Sequence, residues 1–148
     1  RLRQAVSDIS DFTSGSFQPV FDDVRITDPS KVNKVVLVSG KLYYDLLTEA
    51  NKREDATTAL VRLEQYYPAP IEELKAVLNR YPNAKLVWAQ DEPENQGAWT
   101  FMKLEVEDQL GGRTFEVASR PAAAAPAVGS AKRHQVEQAA LIEKVFSL

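Results

Sequence analysis

Three apolar, β-branched runs, each followed by a stretch of helical periodicity, constrain this chain more than any other feature. Val35-Val36-Leu37-Val38 is a continuous run of the kind buried on both faces of a sheet, and it ends at Ser39-Gly40. A helix is predicted directly after it, with Ser39 as candidate N-cap and Leu42, Leu46, Leu47 and Ala50 along one stripe. Thr58 to Leu63 reads as a second strand and Tyr67-Pro68-Ala69-Pro70 as a turn. Pro70 suits the first position of a helix whose apolar face is Ile71, Leu74, Val77 and Leu78, with Glu72 and Glu73 against its positive end. The scheme then repeats: a strand over Ala84 to Ala89, a polar loop from Gln90 to Gly97, and a helix from Ala98 to Gln109 that stops at Gly111-Gly112. Thr114 to Ala118 is a fourth strand, Arg120 to Ser130 an Ala- and Pro-rich irregular crossing, and Lys132 to Phe146 a closing helix.

Strands that alternate with multi-turn helices pair in parallel through right-handed crossovers. The expected fold is therefore α/β, a three-layer α/β/α sandwich about a mostly parallel open sheet. In such sheets ligands sit outside the carboxyl ends of the strands. Those ends carry Ser39-Gly40-Lys41, Glu64-Gln65, Gln90-Asp91-Glu92 and Ser119-Arg120. Residues 1–30 have no sustained period and read as a linker whose Phe12, Phe17 and Phe21 pack on a neighbouring surface, leaving 31–148 as the domain. The sequence starts at Arg1, without an initiator methionine or a signal pattern, and reads as a piece of a longer protein.

Composition narrows the chemistry. With no cysteine, disulfides, thiolate nucleophiles and cysteine metal sites are excluded. A net charge of −3, with basic residues scattered among acids, disfavours nucleic-acid partners. No apolar run approaches the roughly 20 residues that a bilayer crossing needs, so no membrane partner is expected. A bacterial cytoplasm or a mitochondrial matrix fits this composition.

Ser39-Gly40-Lys41 opens a helix after a strand, where free N–H groups and a lysine can hold a phosphate, but the glycine spacing of a P-loop is missing. A tight strand-to-helix turn is the plainer reading. Asp91 to Trp99, with three acids and two amides before a tryptophan, is either a polar site or a capped helix start. The single histidine, His134, builds no metal set, and no serine sits in a nucleophile elbow. Arg62, beside Glu64, is either a ligand group or half of a salt bridge at the sheet's end. Arg120, with Lys132 and Arg133, is either a small anion site or a solvated basic edge.

Beyond these readings the residues resemble a known family. Val38-Ser39-Gly40-Lys41-Leu42-Tyr43-Tyr44-Asp45-Leu46, Val61-Arg62-Leu63-Glu64-Gln65-Tyr66-Tyr67-Pro68 and Gln90-Asp91-Glu92-Pro93-Glu94-Asn95-Gln96-Gly97-Ala98-Trp99 are similar to motifs of 2-oxoglutarate dehydrogenase decarboxylase subunits, in their C-terminal domain. Arg120-Pro121-Ala122, Ala125 to Gly129, His134-Gln135 and Ala5 to Asp8 resemble the same domain's closing and opening segments. Asp91 stands where many relatives have Glu, which keeps the charge. The resemblance implies a transketolase-type C-terminal domain, structural and regulatory and not itself catalytic. The whole subunit decarboxylates 2-oxoglutarate and succinylates the lipoyl group of the next component, feeding the citric acid cycle. Its thiamin diphosphate and magnesium bind in the intact subunit, between preceding domains, and not on this domain alone. The implied partners are the rest of the same subunit, a second copy in a homodimer, and the dihydrolipoyl succinyltransferase component. Some actinobacterial members bind acetyl-CoA as an activator on this domain, and the resemblance places counterparts at Ser39, Lys41, Arg62 and Arg120. Two readings of other classes stay open: a self-contained module binding an adenine nucleotide or coenzyme A, and a small stand-alone α/β enzyme.

Overall fold

A computed structural model describes residues 4–148; the chain start at Arg1 and the first three positions of the expected linker lie outside the described residues. Five strands form one sheet: β1 (Val20–Phe21), β2 (Lys34–Val38), β3 (Thr58–Leu63), β4 (Lys85–Pro93) and β5 (Phe115–Arg120), in the order β1-β3-β2-β4-β5. β2 through β5 run parallel, and β1 pairs antiparallel with β3. The helices are α1 (Ile9–Thr13), α2 (Lys41–Lys52), α3 (Ile71–Leu78), α4 starting at Trp99–Phe101, and α5 (Ala131–Ser147). The expected sandwich is the observed fold.

Strand alternation divides the core. Val35, Leu37, Ala59, Val61, Leu86 and Trp88 pack towards α3 and α4 through Leu74, Leu78, Met102 and Val106. Their neighbours Val36, Val38, Leu60, Val87, Ala89 and Ala118 face the opposite layer, where Leu42, Leu46 and Ala50 of α2 meet Leu141 and Val145 of α5. Every residue of β2 is buried, which explains its unbroken apolar run. Full burial of each Leu or Val contributes about 1.5–3 kcal/mol, so the two layers are the main stabilising term.

Several expectations are corrected locally. The N-cap of α2 is Gly40, at φ 64°, and not Ser39; no side chain caps this helix. Pro70 precedes α3 as its N-cap instead of occupying the first helical position. β4 continues through Gln90, Asp91 and Glu92 to Pro93, across residues expected to form a loop. The predicted helix over 98–109 is one rod of changing pitch: an α turn, a π-helical stretch over Met102–Val106, and a 3₁₀ turn over Glu107–Gln109.

The segment before Ser30 is stitched to the sheet. Asp23, 2% exposed, accepts the Leu60 N–H at 2.8 Å and pairs with Arg25 at 2.5 Å, while Arg25 donates to the carbonyls of Asp55 and Thr58. A two-residue strand plus a carboxylate thus occupies the edge of β3 that would otherwise expose backbone donors. Phe21 packs over Arg62 at 4.4 Å, whereas Phe12 and Phe17 remain exposed.

Candidate functional site

The side on which successive strands are added reverses between β2 and β4: the crossover after β2 leads to β3 on one side, and the crossover after β3 leads back past β2 to β4. A crevice at such a switch point is the expected ligand position. A cleft of 170 Å³ lies there, lined by Ser39, Gly40 and Lys41 on one wall, Gln90, Asp91 and Glu92 on the other, and Tyr66 beside them.

The first wall is the start of α2. Glycine is favoured at position 40 by its positive φ and not by crowding, since an added Cβ would meet nothing within 4 Å. With Gly40 as N-cap, the first N–H groups of α2 have no side-chain acceptor. Lys41 Nζ is held by Asp45 Oδ2 at 2.5 Å, one helical turn along. The Tyr66 ring stands edge-on to Trp88, with centroids 6.0 Å apart. Burial pushes the Tyr66 phenol above its ordinary pKa, partly offset by the neighbouring Ser39 hydroxyl.

The second wall is fixed by Gln90. This side chain, 4% exposed, accepts from Trp88 Nε1 and from the Trp99 N–H, each at 2.9 Å. Its amide nitrogen donates to the carbonyls of Pro93 at 3.0 Å and Gln96 at 2.7 Å. One glutamine therefore ties the end of β4 to the start of α4. Gly97, at φ 68°, passes so close that an added Cβ would sit 3.1 Å from the Gln90 amide. Asn95 and Gln96 then reach out to Ala123, holding the crossing after β5 against this turn.

The four residues proposed from sequence do not converge on one pocket. Ser39 and Lys41 line the cleft. Arg62 turns to the far side of β3, stacked on Phe21 and Tyr43, bonded to Tyr44 Oη at 3.1 Å, with Nε 2.7 Å from Glu64 Oε1 but not aligned as a hydrogen bond. It borders a separate cavity of 780 Å³ under the N-terminal segment, where Phe12, Phe17, Asp11 and Glu64 also lie. The Arg62–Glu64 ion pair is present, and so is the aromatic stack that sequence gave no sign of.

Arg120 is 8% exposed and bound on several sides: Gln138 Oε1 at 2.6 Å, His134 Nδ1 at 3.2 Å, Glu137 at 3.4 Å and Asp91 at 3.7 Å. Arg133 pairs with the same Glu137 at 2.7 Å. The arginines expected at a basic edge are thus matched by carboxylates. Sequence reasoning missed Asp45, Glu137 and Gln138. The i,i+4 spacing of Lys41 to Asp45 and of Arg133 to Glu137 was a readable signal. The approach of Arg120 to α5 was not, because it depends on how that helix docks.

Among the described residues no three His, Cys, Asp or Glu side chains group as a metal site, and no helix is long and apolar enough to cross a membrane. A family model described as 2-oxoglutarate dehydrogenase C-terminal matches residues 6–146. The chain belongs to this family. Among curated relatives of this 2-oxoglutarate dehydrogenase C-terminal domain, the "2-oxoglutarate dehydrogenase E1 component" of Cupriavidus necator is 45% identical over 99% of the chain, and that of Azotobacter vinelandii 41% over 100%. A "Multifunctional 2-oxoglutarate metabolism enzyme" of Mycolicibacterium vanbaalenii is 40% identical over 99% of the chain. The chain spans 16% of the length of the first two and 12% of the third.

Proposed function

We propose that this domain is the non-catalytic C-terminal part of a 2-oxoglutarate dehydrogenase decarboxylase component, the enzyme that decarboxylates 2-oxoglutarate and passes the succinyl group to the lipoyl group of the next component. The observation that carries this reading is the family match across residues 6–146, joined to relatives of which the chain is about a sixth. In this reading 1–30 is the incoming segment and 31–148 the transketolase-type domain, with the stretch around Asp23 clasping its edge. The partners are the rest of the subunit, a second copy in a homodimer and the dihydrolipoyl succinyltransferase component, in a bacterial cytoplasm or a mitochondrial matrix. The exposed Ile9, Phe12 and Phe17 are the surface proposed to meet the rest of the subunit.

Thiamin diphosphate and magnesium belong to the intact subunit. In this reading they are held by the preceding domains; among the described residues of this one, no three His, Cys, Asp or Glu side chains group as a metal site. The chain alone, given 2-oxoglutarate, thiamin diphosphate and magnesium, is expected to release no CO₂; release above the buffer rate would overturn the non-catalytic reading.

A second role rests on the switch-point cleft. We infer that an anionic effector, coenzyme A or an adenine nucleotide, binds at the strand ends, with Ser39 and Lys41 touching it and Arg120 behind Asp91. Arg62, turned to the far side of β3, does not reach it. The uncapped N-terminus of α2 supports this, since its free N–H groups and positive dipole end favour a phosphate. A ligand at 100 times its Kd adds about 2.7 kcal/mol of stability. Coenzyme A or AMP should raise the melting temperature of the chain but not of Lys41→Ala; no rise with either compound would leave the domain as architecture.

A further inference from the structure

The segment that enters the sheet changes character at Val20. From there on it is pinned: β1 pairs with β3, Asp23 accepts the Leu60 N–H, and Asp22 is held by Arg80 and by the Tyr81 hydroxyl, which donates to it at 2.7 Å. Residues 4–18 are all exposed. Yet this arm carries large apolar side chains: Val6 is 77%, Ile9 83%, Phe12 81% and Phe17 67% exposed. Val6, Ile9 and Phe12 recur at every third position, with Ser7, Asp8, Ser10 and Asp11 between them, so the arm has one apolar face and one polar face. An apolar face left in water marks a surface meant for a partner.

Between the arm and the end of β3 lies the 780 Å³ groove, lined by Phe12 and Phe17 from the arm and by Phe21 and Arg62, stacked on one another, from the sheet. Its charge is one-sided. From Gln4 to Val24 the sequence has four aspartates and no lysine or arginine. Arg80 and Arg25 neutralise Asp22 and Asp23, but neither Asp8 nor Asp11 meets a cation among the described residues, and Asp11 lines the groove together with Glu64. Arg62 is already committed to Glu64 and to the rings of Phe21 and Tyr43. An incoming group therefore meets aromatic rings and carboxylates. We infer that the groove and the apolar face of the arm dock a segment of the preceding part of the same subunit, one whose apolar side chains are flanked by lysine or arginine. The matching family model is a C-terminal one and the chain spans 16% of the first two relatives, so most of such a subunit comes before this domain and is joined to the arm itself. Tethering favours that occupant over any separate molecule. A second copy docking arm to arm would set the acidic arms against each other, a like-charge contact. The inference rests on the C-terminal-domain reading and adds where, and by what chemistry, the domain is held to the rest of the subunit.

The test is made on the whole subunit, with the photoreactive p-benzoylphenylalanine in place of Phe12 and the cross-linked product sized on a denaturing gel and mapped by mass spectrometry. The expected product keeps the mass of one subunit and joins position 12 to an apolar segment bearing lysine or arginine that precedes this domain. A product of doubled mass, a join to an acidic segment, or no join at all overturns the inference. Amide exchange of residues 4–18 is then compared between the subunit and the isolated chain. It should be about tenfold or more slower in the subunit, the least that burying one phenylalanine supplies, and Phe17→Ser, at an exposed position that leaves the core intact, should return most of that difference. Equal rates in subunit and isolated chain overturn the inference as well. CO₂ release from 2-oxoglutarate by the same subunit reports on the family reading separately: release without the cross-link refutes the docking surface alone, whereas the cross-link without release upholds the docking surface and removes the assigned reaction.

Discussion

Replacing Gln90 by leucine, of similar size, removes at once the four hydrogen bonds of 3.0 Å or shorter that its side chain makes. The costs differ by burial. Trp88 is fully buried, so its indole N–H is left without a partner, at ~1–3 kcal/mol. The Trp99 N–H and the carbonyl of Gln96 are part-buried at the turn, and the Pro93 carbonyl, though buried, keeps a second lone pair for other partners; each loses a net ~0.5–1 kcal/mol. Leucine recovers part of this through apolar burial, leaving a destabilisation of roughly 3–4 kcal/mol. For a chain of this size that lowers Tm by about 6–15 °C. Urea unfolding followed by intrinsic fluorescence suits the case, because both tryptophans of the chain bond to this one side chain. A loss under about 1 kcal/mol, with the fluorescence of the folded protein unchanged, would refute the assignment of Gln90 as the organiser of this turn.

Three further outcomes follow from the same structure. Gly97→Ala combines a left-handed backbone with a Cβ pressed against the Gln90 amide, and should cost about 1–2 kcal/mol, whereas Gly40→Ala, where space is open, should cost only the backbone term; equal losses in urea unfolding would contradict the crowding. Asp55 and Glu107 both have pKa values lowered by folding: burial raises each, but the N–H and hydroxyl of Thr57 with Thr58 for Asp55, and Lys103 with the Phe115 N–H for Glu107, outweigh it. Their contribution is therefore present above the ordinary carboxylate values of 3.8 and 4.5 and is lost as pH falls through the lower folded values, so acid unfolding should flatten in Asp55→Asn; an unchanged acid limb would contradict this. Removing residues 1–18 should leave Tm nearly unchanged, while removing 1–26 uncovers the edge of β3 and strips Asp23 from Leu60, and should lower Tm or cause aggregation; two equally stable truncations would overturn the role given to Asp23.

What the sequence disclosed follows from which forces are local. Val35 to Val38 and Leu86 to Ala89 announce buried strands because burial on both faces leaves no polar alternation, and the stripes of α2 and α3 follow from helical period. The strand character of Gln90 to Pro93 was hidden. These residues are polar, and they extend because the Gln90 amide finds its partners around the turn and Pro93 pairs across to Arg120. β1 is too short to show a period at all. At the site, the strand-end rule found Ser39, Lys41 and Asp91 together, since topology alone sets those positions. Arg62 and Arg120 share the same end of the sheet, but their surroundings are set by tertiary packing: aromatics of α2 and the N-terminal segment for one, and the first turns of α5 for the other.

The central claim, that this chain is the C-terminal domain of a 2-oxoglutarate-decarboxylating component, is tested most directly by exchange. The matching 16% of the Cupriavidus necator relative is replaced by this chain, and 2-oxoglutarate-dependent CO₂ release is measured. The account predicts that the hybrid decarboxylates 2-oxoglutarate and that deleting the exchanged piece abolishes this; a folded hybrid with no activity would contradict it.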